Sequence, residues 1–140
     1  MRRLDSGGSI LESEACNFGA PCDPEQVATR PNFDDLMVLL KLGRAYVKIY
    51  APYRTSEKSP DFPDMAPLAR LLVAANPDRI LWGSNWPYPG RGPTPSAIAP
   101  PYPNDDGRVL NLLLTWVPDP AIRKKILADN PTRLNRFEVA

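Results

Sequence analysis

The feature that most constrains the fold is an alternation of helical and strand patterns along most of the chain. The segments 45–50, "AYVKIY", and 79–83, "RILWG", are short and rich in β-branched and aromatic residues, which is typical of strands. Helical patterns lie at 31–44, at about 62–75 and beyond the second strand. Strands separated by helices are expected to run parallel through right-handed crossovers. The pattern therefore predicts an α/β fold with its site at the carboxyl ends of the strands.

Residues that start or stop helices mark the ends of the helical segments. Asn32 and Asn104 are the expected N-caps of two helices, and Gly43 is expected to end the first one. Asp119 followed by Pro120 predicts the start of a further helix. The tail "NPTRLNRF" is expected to add a last helical turn.

Side-chain alternation along 45–50 predicts one face towards the helices and one face towards the interior of a pocket. The first face has Ala45, Val47 and Ile49, and the second has Tyr46, Lys48 and Tyr50. A lysine on the inner face of a parallel strand is unexpected unless that face lines a polar lumen. The alternative is an edge strand with a solvated side. Lys48 is therefore a candidate substrate-binding residue, with the edge strand as the competing interpretation.

Composition excludes several classes of function. The 140 residues are enough for one domain with a core, and the net charge of +1 comes from scattered basic residues. We therefore expect no nucleic-acid partner and no binding to an anionic membrane. No run of about 18 apolar residues and no signal-peptide pattern is present, so we expect a soluble, cytoplasmic protein. Cys16 and Cys22 do not form a CxxC motif and are expected to be free thiols.

Proline is unusually frequent, with 18 of 140 residues, and is concentrated in 87–103. Such a segment cannot form a helix or a central strand. It could be an ordered loop over a site, a polyproline-type excursion on the surface, or a ligand for a proline-binding domain. The sequence alone leaves these alternatives open.

Three motifs carry a resemblance to a known family. They are "AYVKIYAPYR" (45–54), "RILWGSNWPYP" (79–89) and "KKILADNPTRLNRF" (124–137). In this order they resemble the C-terminal part of the amidohydrolase-2 family, within the metal-dependent hydrolase superfamily, and most closely its 2-pyrone-4,6-dicarboxylate lactonase branch. The resemblance covers roughly 15–137, and "ACNFGAP" (15–21) looks like a changed copy of another strand end of the family. It implies partial TIM-barrel-like (β/α) repeats, with about three parallel strands and flanking helices.

The resemblance also implies a domain organisation. We expect a single truncated domain over 1–140, with a poorly defined N-terminal segment at 1–30 and a proline-rich loop at 86–104. A complete TIM barrel needs about 250 residues and eight strands. The chain is therefore expected to be a fragment or shortened gene product, to assemble as a homo-oligomer or with a complementing barrel fragment, or to form an open sandwich covered by its N-terminal segment.

The family's functional positions are partly substituted. Tyr53 and Arg54 match a Tyr-Arg pair that binds substrate carboxylate or carbonyl groups in relatives. Asn85 stands where the family has an aspartate, and Tyr88 stands where it often has a histidine. The Asp-His pair of the earlier strand falls on Cys16 and Asn17, and the strand serine falls on Tyr50.

These substitutions limit the chemistry. A carboxylate can act as a general base, whereas the neutral amide of Asn85 can only polarise a carbonyl or orient a water. Losing such a base typically costs about 10²–10⁴ in rate. With no histidine in the chain, neither a common catalytic zinc site nor a Ser–His–Asp triad can be assembled. We therefore predict a metal-independent site without a cofactor.

Two functions remain. The first is an amidohydrolase-family hydrolase or lyase of reduced activity, acting on a small carboxylated ring or lactone. Tyr53, Arg54, Tyr88 and Lys48 would bind the substrate, and Asn85 would be the catalytic group. The alternative is an inactive remnant that binds a small molecule or a partner chain. Simpler roles compete at single residues: an Arg54–Glu57 ion pair, bracing of the proline loop by Tyr88, and packing by Trp86.

Overall fold

The computed structural model describes residues 33–88 and 100–137, and the backbone of residues 9–12. In chain order the helices and strands are β1 (Ser9–Glu12), α1 (Phe33–Lys41), β2 (Ala45–Tyr50), α2 (Met65–Ala75), β3 (Ile80–Gly83), α3 (Asp106–Trp116), α4 (Pro120–Lys124) and α5 (Asn130–Asn135). Two 3₁₀ turns, Pro52–Arg54 and Pro77–Arg79, and a π-helical segment, Lys125–Asp129, complete the elements of the described residues. The predicted cap Asn32, the cysteines and the segment 15–21 lie outside the described residues, as do residues 89–99 of the proline-rich loop.

The strands pair in parallel, in the order β1-β2-β3. Val47 of β2 lies opposite Ile80 of β3, and Tyr50 lies opposite Gly83. On the other side of β2, the backbone of Leu11 lies opposite Val47. The predicted α/β architecture with parallel strands is thus confirmed for β2 and β3. That about three such strands are consecutive repeats of a barrel stays a prediction.

One face of the sheet packs against the helices and forms the core. Val47, Ile49 and Ile80 belong to a single cluster of buried side chains, as the alternation along β2 predicted. Each large apolar side chain buried in this way contributes about 1.5–3 kcal/mol relative to an exposed position. The helical and loop members of the cluster include Leu40, Phe62, Met65, Leu72, Val109, Leu113, Trp116 and Ile126.

The opposite face of β2 is more polar. Lys48 and Tyr50 are half-buried. Tyr46, on the same face, is buried because the Arg79 guanidinium covers its ring at 4.6 Å and donates a hydrogen bond to its hydroxyl. The amino end of this face is therefore closed by an arginine, and its carboxyl end carries the polar groups.

Capping residues explain where the helices begin and end. Gly43 follows α1 with φ +68, so the predicted helix stop is confirmed. Asp119 caps α4 as predicted, because its side chain accepts a hydrogen bond from the Ala121 amide at 2.8 Å. The predicted cap of α3 was wrong: Asp105, not Asn104, accepts the bond from Arg108 N at 3.0 Å.

The carboxyl end of the chain forms a longer helical segment than expected. The helix predicted to start at Asp119 and the predicted last turn join through the π-helical segment, so that α4 and α5 follow each other without a break. None of the helices described here has the length and apolar character needed to cross a bilayer.

Candidate functional site

The chain turns sharply where β2 and β3 end. Ala51 follows β2 with φ +48, and after β3 both Asn85 (φ +67) and Tyr88 (φ +56) also lie in the left-handed region. Positive φ is uncommon for residues other than glycine and collects at functional sites. The unusual backbone thus marks the same edge of the sheet that parallel topology selects as a site.

A hydrogen bond joins the two strand ends. Asn85 Nδ2 donates to Tyr53 Oη at 2.7 Å, although the residues are 32 positions apart. The Tyr53 ring in turn stacks on Tyr102, with centroids 4.3 Å apart and an angle of 7° between the planes. The structure therefore brings together two of the residues that the sequence singled out, and adds the aromatic support of Tyr102.

Arg54 and Lys48 lie on the elements next to this hydrogen bond. Arg54 directly follows Tyr53 in the 3₁₀ turn, where its amide donates to Ala51 O at 2.9 Å. Lys48 occupies the space that Gly83 leaves open, since a Cβ at position 83 would come within 3.3 Å of Lys48 Cδ. The Lys48 ammonium lies 4.8 Å from the ring centroid of Tyr50. Both cations are therefore carried by the strand-and-turn unit that also carries Tyr53.

Tyr88 connects the loop after β3 to the start of α3. Its hydroxyl donates a short hydrogen bond to Asp106 Oδ2, and Asn104 Nδ2 donates to the other oxygen of the same carboxylate at 3.0 Å. The backbone is tied as well, because Tyr102 N donates to Tyr88 O at 2.8 Å and Tyr88 N donates to Asn85 O at 2.8 Å.

The environment of Tyr88 changes its titration. Its hydrogen bond to Asp106 raises the pKa of the Tyr88 phenol above 10.0, and desolvation and the Asp106 charge act in the same direction. Sequence reasoning missed Asp106. In the sequence it is the last of three consecutive residues that can each cap a helix, so that its pattern indicated a helix start and not a site.

The tryptophans and Ser84 have distinct positions around the cluster. Trp82 packs against the core, whereas Trp86 is 75% exposed, so the packing alternative does not hold for Trp86. Ser84 Oγ accepts a hydrogen bond from Trp86 N at 3.2 Å, which ties Ser84 into the turn after β3.

A separate depression of about 480 Å³ lies on the outside of α3. An ion pair between Arg108 and Asp61, with Nη2–Oδ1 at 2.8 Å, lies at its edge. None of the residues predicted for the site lines this depression. Its lining consists of Asp61, Asp105, Gly107, Arg108, Asn111 and Leu112.

Metal ligands are scarce in the part of the chain that the structure describes. Within it, cysteine, aspartate and glutamate side chains do not gather in groups of three that could hold a metal ion, and the whole sequence has no histidine. The arrangement at the strand ends offers amide, phenol and cationic groups instead. Such groups can bind a carboxylate or polarise a carbonyl.

Parallel strands with polar groups at their carboxyl ends define an α/β protein with a candidate site at that edge of the sheet. The sequence profile of the family described as Amidohydrolase matches residues 18–137, and the chain belongs to this family. The resemblance of the three motifs is thereby confirmed.

Among curated proteins, the chain is similar to lactone-acting relatives. It is 40% identical over 111 residues to a 4-sulfomuconolactone hydrolase of Hydrogenophaga intermedia, covering 79% of the chain and 35% of that protein. It is 36% identical to a D-galactarolactone isomerase of Agrobacterium fabrum (74% and 34% covered). It is 32% identical to a 2-pyrone-4,6-dicarboxylate hydrolase of Comamonas testosteroni (72% and 34% covered).

Solved structures agree with this assignment. A crystal structure of an Agrobacterium tumefaciens protein, 32% identical in sequence, superposes with a TM-score of 0.59 over 79% of this chain and 37% of that one. The chain thus spans about a third of the length of the curated relatives that it matches.

Proposed function

We propose that this protein acts on a small lactone or carboxylated ring, as a hydrolase or lyase of the amidohydrolase family. Membership of the family and the lactone or pyrone rings in the names of its relatives support this substrate class. The observation that carries the proposal is the 2.7 Å hydrogen bond from Asn85 to Tyr53, which places a fixed amide where two parallel strands end.

Asn85 is the group that polarises the substrate carbonyl. Its amide keeps a second N–H for a carbonyl oxygen while the first is held by Tyr53, and held donors stabilise a developing oxyanion best. Because an amide cannot take up a proton at neutral pH, Asn85 itself is not the base. The reaction is metal-independent and slower than that of relatives with a carboxylate at this position.

The cationic groups bind the acidic end of the substrate. Arg54 offers a planar fork that matches a carboxylate, and Lys48 offers a second positive charge on the same unit. Tyr53, held by Asn85, and Tyr88, held by Asp106, contribute phenol groups. We infer that the described strands form part of a barrel around this site.

Substrate binding by Arg54 can be measured directly. Titration calorimetry with 2-pyrone-4,6-dicarboxylate should show binding to the protein, and Arg54→Ala should weaken it about 10–100-fold, because a charge-assisted hydrogen bond contributes about 1.5–3 kcal/mol. Arg70→Ala is the matched control, since Arg70 lies on α2 and donates to Thr115 O at 3.0 Å. Equal affinities for the protein and for Arg54→Ala would remove Arg54 from the site.

The competing function is a remnant that binds without turning over. The amide at position 85 favours it, because the inherited base is absent. An assay of 4-sulfomuconolactone, D-galactarolactone and 2-pyrone-4,6-dicarboxylate, with and without Asn85→Asp, separates the two. Hydrolysis by the protein, raised about tenfold or more in Asn85→Asp, supports an organised catalytic site. Binding with no turnover by either form supports the remnant.

A further inference from the structure

The site contains a carboxylate that does not come from the inherited position. Asp106 is the first residue of α3 and lies beyond the proline-rich segment, 21 positions after Asn85 in the sequence. It is half-buried, and its two oxygens accept hydrogen bonds from Tyr88 and Asn104. A carboxylate held in this way has a fixed orientation towards the Tyr88 hydroxyl.

Tyr88 is linked to this carboxylate through its hydroxyl and to Asn85 through its backbone. Its own hydrogen is committed to Asp106 and the side chain of Asn104 also bonds to it, so that its oxygen keeps one lone pair to accept a hydrogen bond from a water or a substrate hydroxyl. The backbone N–H of Tyr88 donates a hydrogen bond to Asn85 O, which fixes the backbone of Tyr88 relative to Asn85. Asn85 and Tyr88 thus lie on one short loop, and Asp106 lies at the start of α3 beside it.

We propose that Tyr88 and Asp106 form a proton relay which supplies the base function that Asn85 lacks. Tyr88 is the catalytic residue, and Asp106 is a positioning residue that acts through it. The proposal rests on the proposed action on lactones and deepens it.

In the proposed hydrolysis, the relay takes a proton from water and returns it to the leaving oxygen of the lactone. The oxygen of a water molecule bonds to the lactone carbonyl carbon, one water proton moves to Tyr88 Oη, and the Tyr88 proton moves to Asp106 Oδ2. The ring C–O bond then breaks, and the protons return from Asp106 to Tyr88 and from Tyr88 to the leaving ring oxygen. One lactone and one water give one hydroxy acid, with the relay restored. No oxidant, reductant or further reactant is consumed.

The titratable groups around the Tyr88 hydroxyl are Asp106 and Tyr53, and Asn104 adds a neutral side chain. A phenol is protonated at neutral pH, as a relay requires, and the hydrogen bond to Asp106 raises the pKa of Tyr88 further. The simpler role, in which Tyr88 only braces the loop, needs the same hydrogen bond but no proton transfer. The two roles therefore differ in kinetics and not in geometry.

The decisive experiment compares Asp106→Asn with Asp105→Asn in lactone hydrolysis. The neighbouring change removes the same charge, and asparagine still caps α3. We expect Asp106→Asn to lower kcat about 10²-fold with KM changed less than about threefold. Asp106→Glu should recover part of the rate, and Asp105→Asn should match the unaltered protein.

The Tyr88→Phe variant and the double variant complete a double-mutant cycle with Asp106→Asn. If the pair acts as one unit, Tyr88→Phe and the double variant should lose about as much as Asp106→Asn alone, because the second change removes nothing further. Additive losses would overturn the relay, and so would an Asp106→Asn enzyme with unchanged kcat.

A spectroscopic titration separates this proposal from the proposed function. Ultraviolet difference spectra between the protein and Tyr88→Phe report ionisation of Tyr88. Asp106→Asn should lower the pKa of Tyr88, because it removes the neighbouring negative charge. If no lactone is hydrolysed by any form, the proposed function fails and the relay fails with it, even where the titration confirms the pair. If lactones are hydrolysed but the titration is unchanged in Asp106→Asn, the relay alone fails.

Discussion

Asn130 is completely buried, and its side chain fastens the last helix to the base of the sheet. Its Nδ2 donates to Pro77 O at 2.8 Å and to Ile80 O at 2.7 Å, across 53 and 50 positions of sequence. Its Oδ1 has no hydrogen-bond partner among the described residues. The two bonds satisfy carbonyls on either side of the start of β3, which explains why a polar residue is kept at this depth.

Removing this amide should destabilise the protein strongly. Asn130→Ala leaves two carbonyls without their donor, so we expect a loss of about 2–4 kcal/mol in the free energy of unfolding, measured by urea denaturation. Asn135→Ala is the control: Asn135 is exposed and donates only to Pro131 O at 2.9 Å, so its loss should stay below about 0.5 kcal/mol. Similar values for the two variants would contradict the anchoring role.

The sequence predicted some of the individual residues of the candidate site. Tyr53 and Asn85 were found because they fall on functional positions of the family that the motifs resemble; both follow strands, and parallel strands bring such residues to the same edge. Asp106 escaped because its contact with Tyr88 spans 18 positions across a proline-rich segment that has no periodic pattern. Local rules assign such an aspartate to helix capping, and only the tertiary fold shows which phenol it faces.

The turn between α1 and β2 shows how one backbone conformation positions two elements. Gly43 has φ +68, and a Cβ on it would lie 3.3 Å from Arg79 Nε. The same guanidinium covers Tyr46 at the start of β2. Close approach of the arginine therefore depends on the absence of a side chain at the end of α1.

Two glycine-to-alanine changes should have opposite effects. Gly43→Ala forces an L-residue into the left-handed region and crowds Arg79, so we expect a loss of about 1–2 kcal/mol in thermal or urea unfolding. Gly107→Ala lies within α3, and its Cβ would meet Asp105 Oδ1 at an ordinary 3.4 Å. Since alanine favours helices, the second protein should be unchanged or up to about 1 kcal/mol more stable. Gly43→Ala at full stability would show that the turn can adopt another conformation.

The predictions of helix ends were right where one residue determined the end of the helix, and wrong where several residues could do so. The helix stop at Gly43 and the helix cap at Asp119 were predicted, because no neighbouring residue competes with Gly43 as a stop or with Asp119 as a cap. The start of α2 was set too early: Phe62 has φ +43, so the helix begins only at Met65. A buried aromatic residue in a left-handed turn carries no signal in a sequence pattern, since its conformation is imposed by the core around it.

At the scale of the whole molecule, α1, α2, α3, β2 and β3 share one apolar core, so these elements should unfold together. Leu113 is 1% exposed and Leu114 is 56% exposed, although they are neighbours on α3. Leu113→Ala should cost about 2–5 kcal/mol, whereas Leu114→Ala should cost less than about 0.5 kcal/mol. Chemical denaturation followed by circular dichroism and by tryptophan fluorescence should give the same midpoint for each variant. Different midpoints from the two probes would mean that the core is divided.

The π-helical segment has a geometric consequence for this core. The amide of Asn130 bonds back five positions, to Lys125 O, and not four. One additional residue in a turn changes the phase of everything that follows by about 100° around the helix axis. Without that offset, the carboxamide of Asn130 would point away from β3. Deleting a single residue from the segment would therefore detach the last helix from the sheet while leaving its helical content intact.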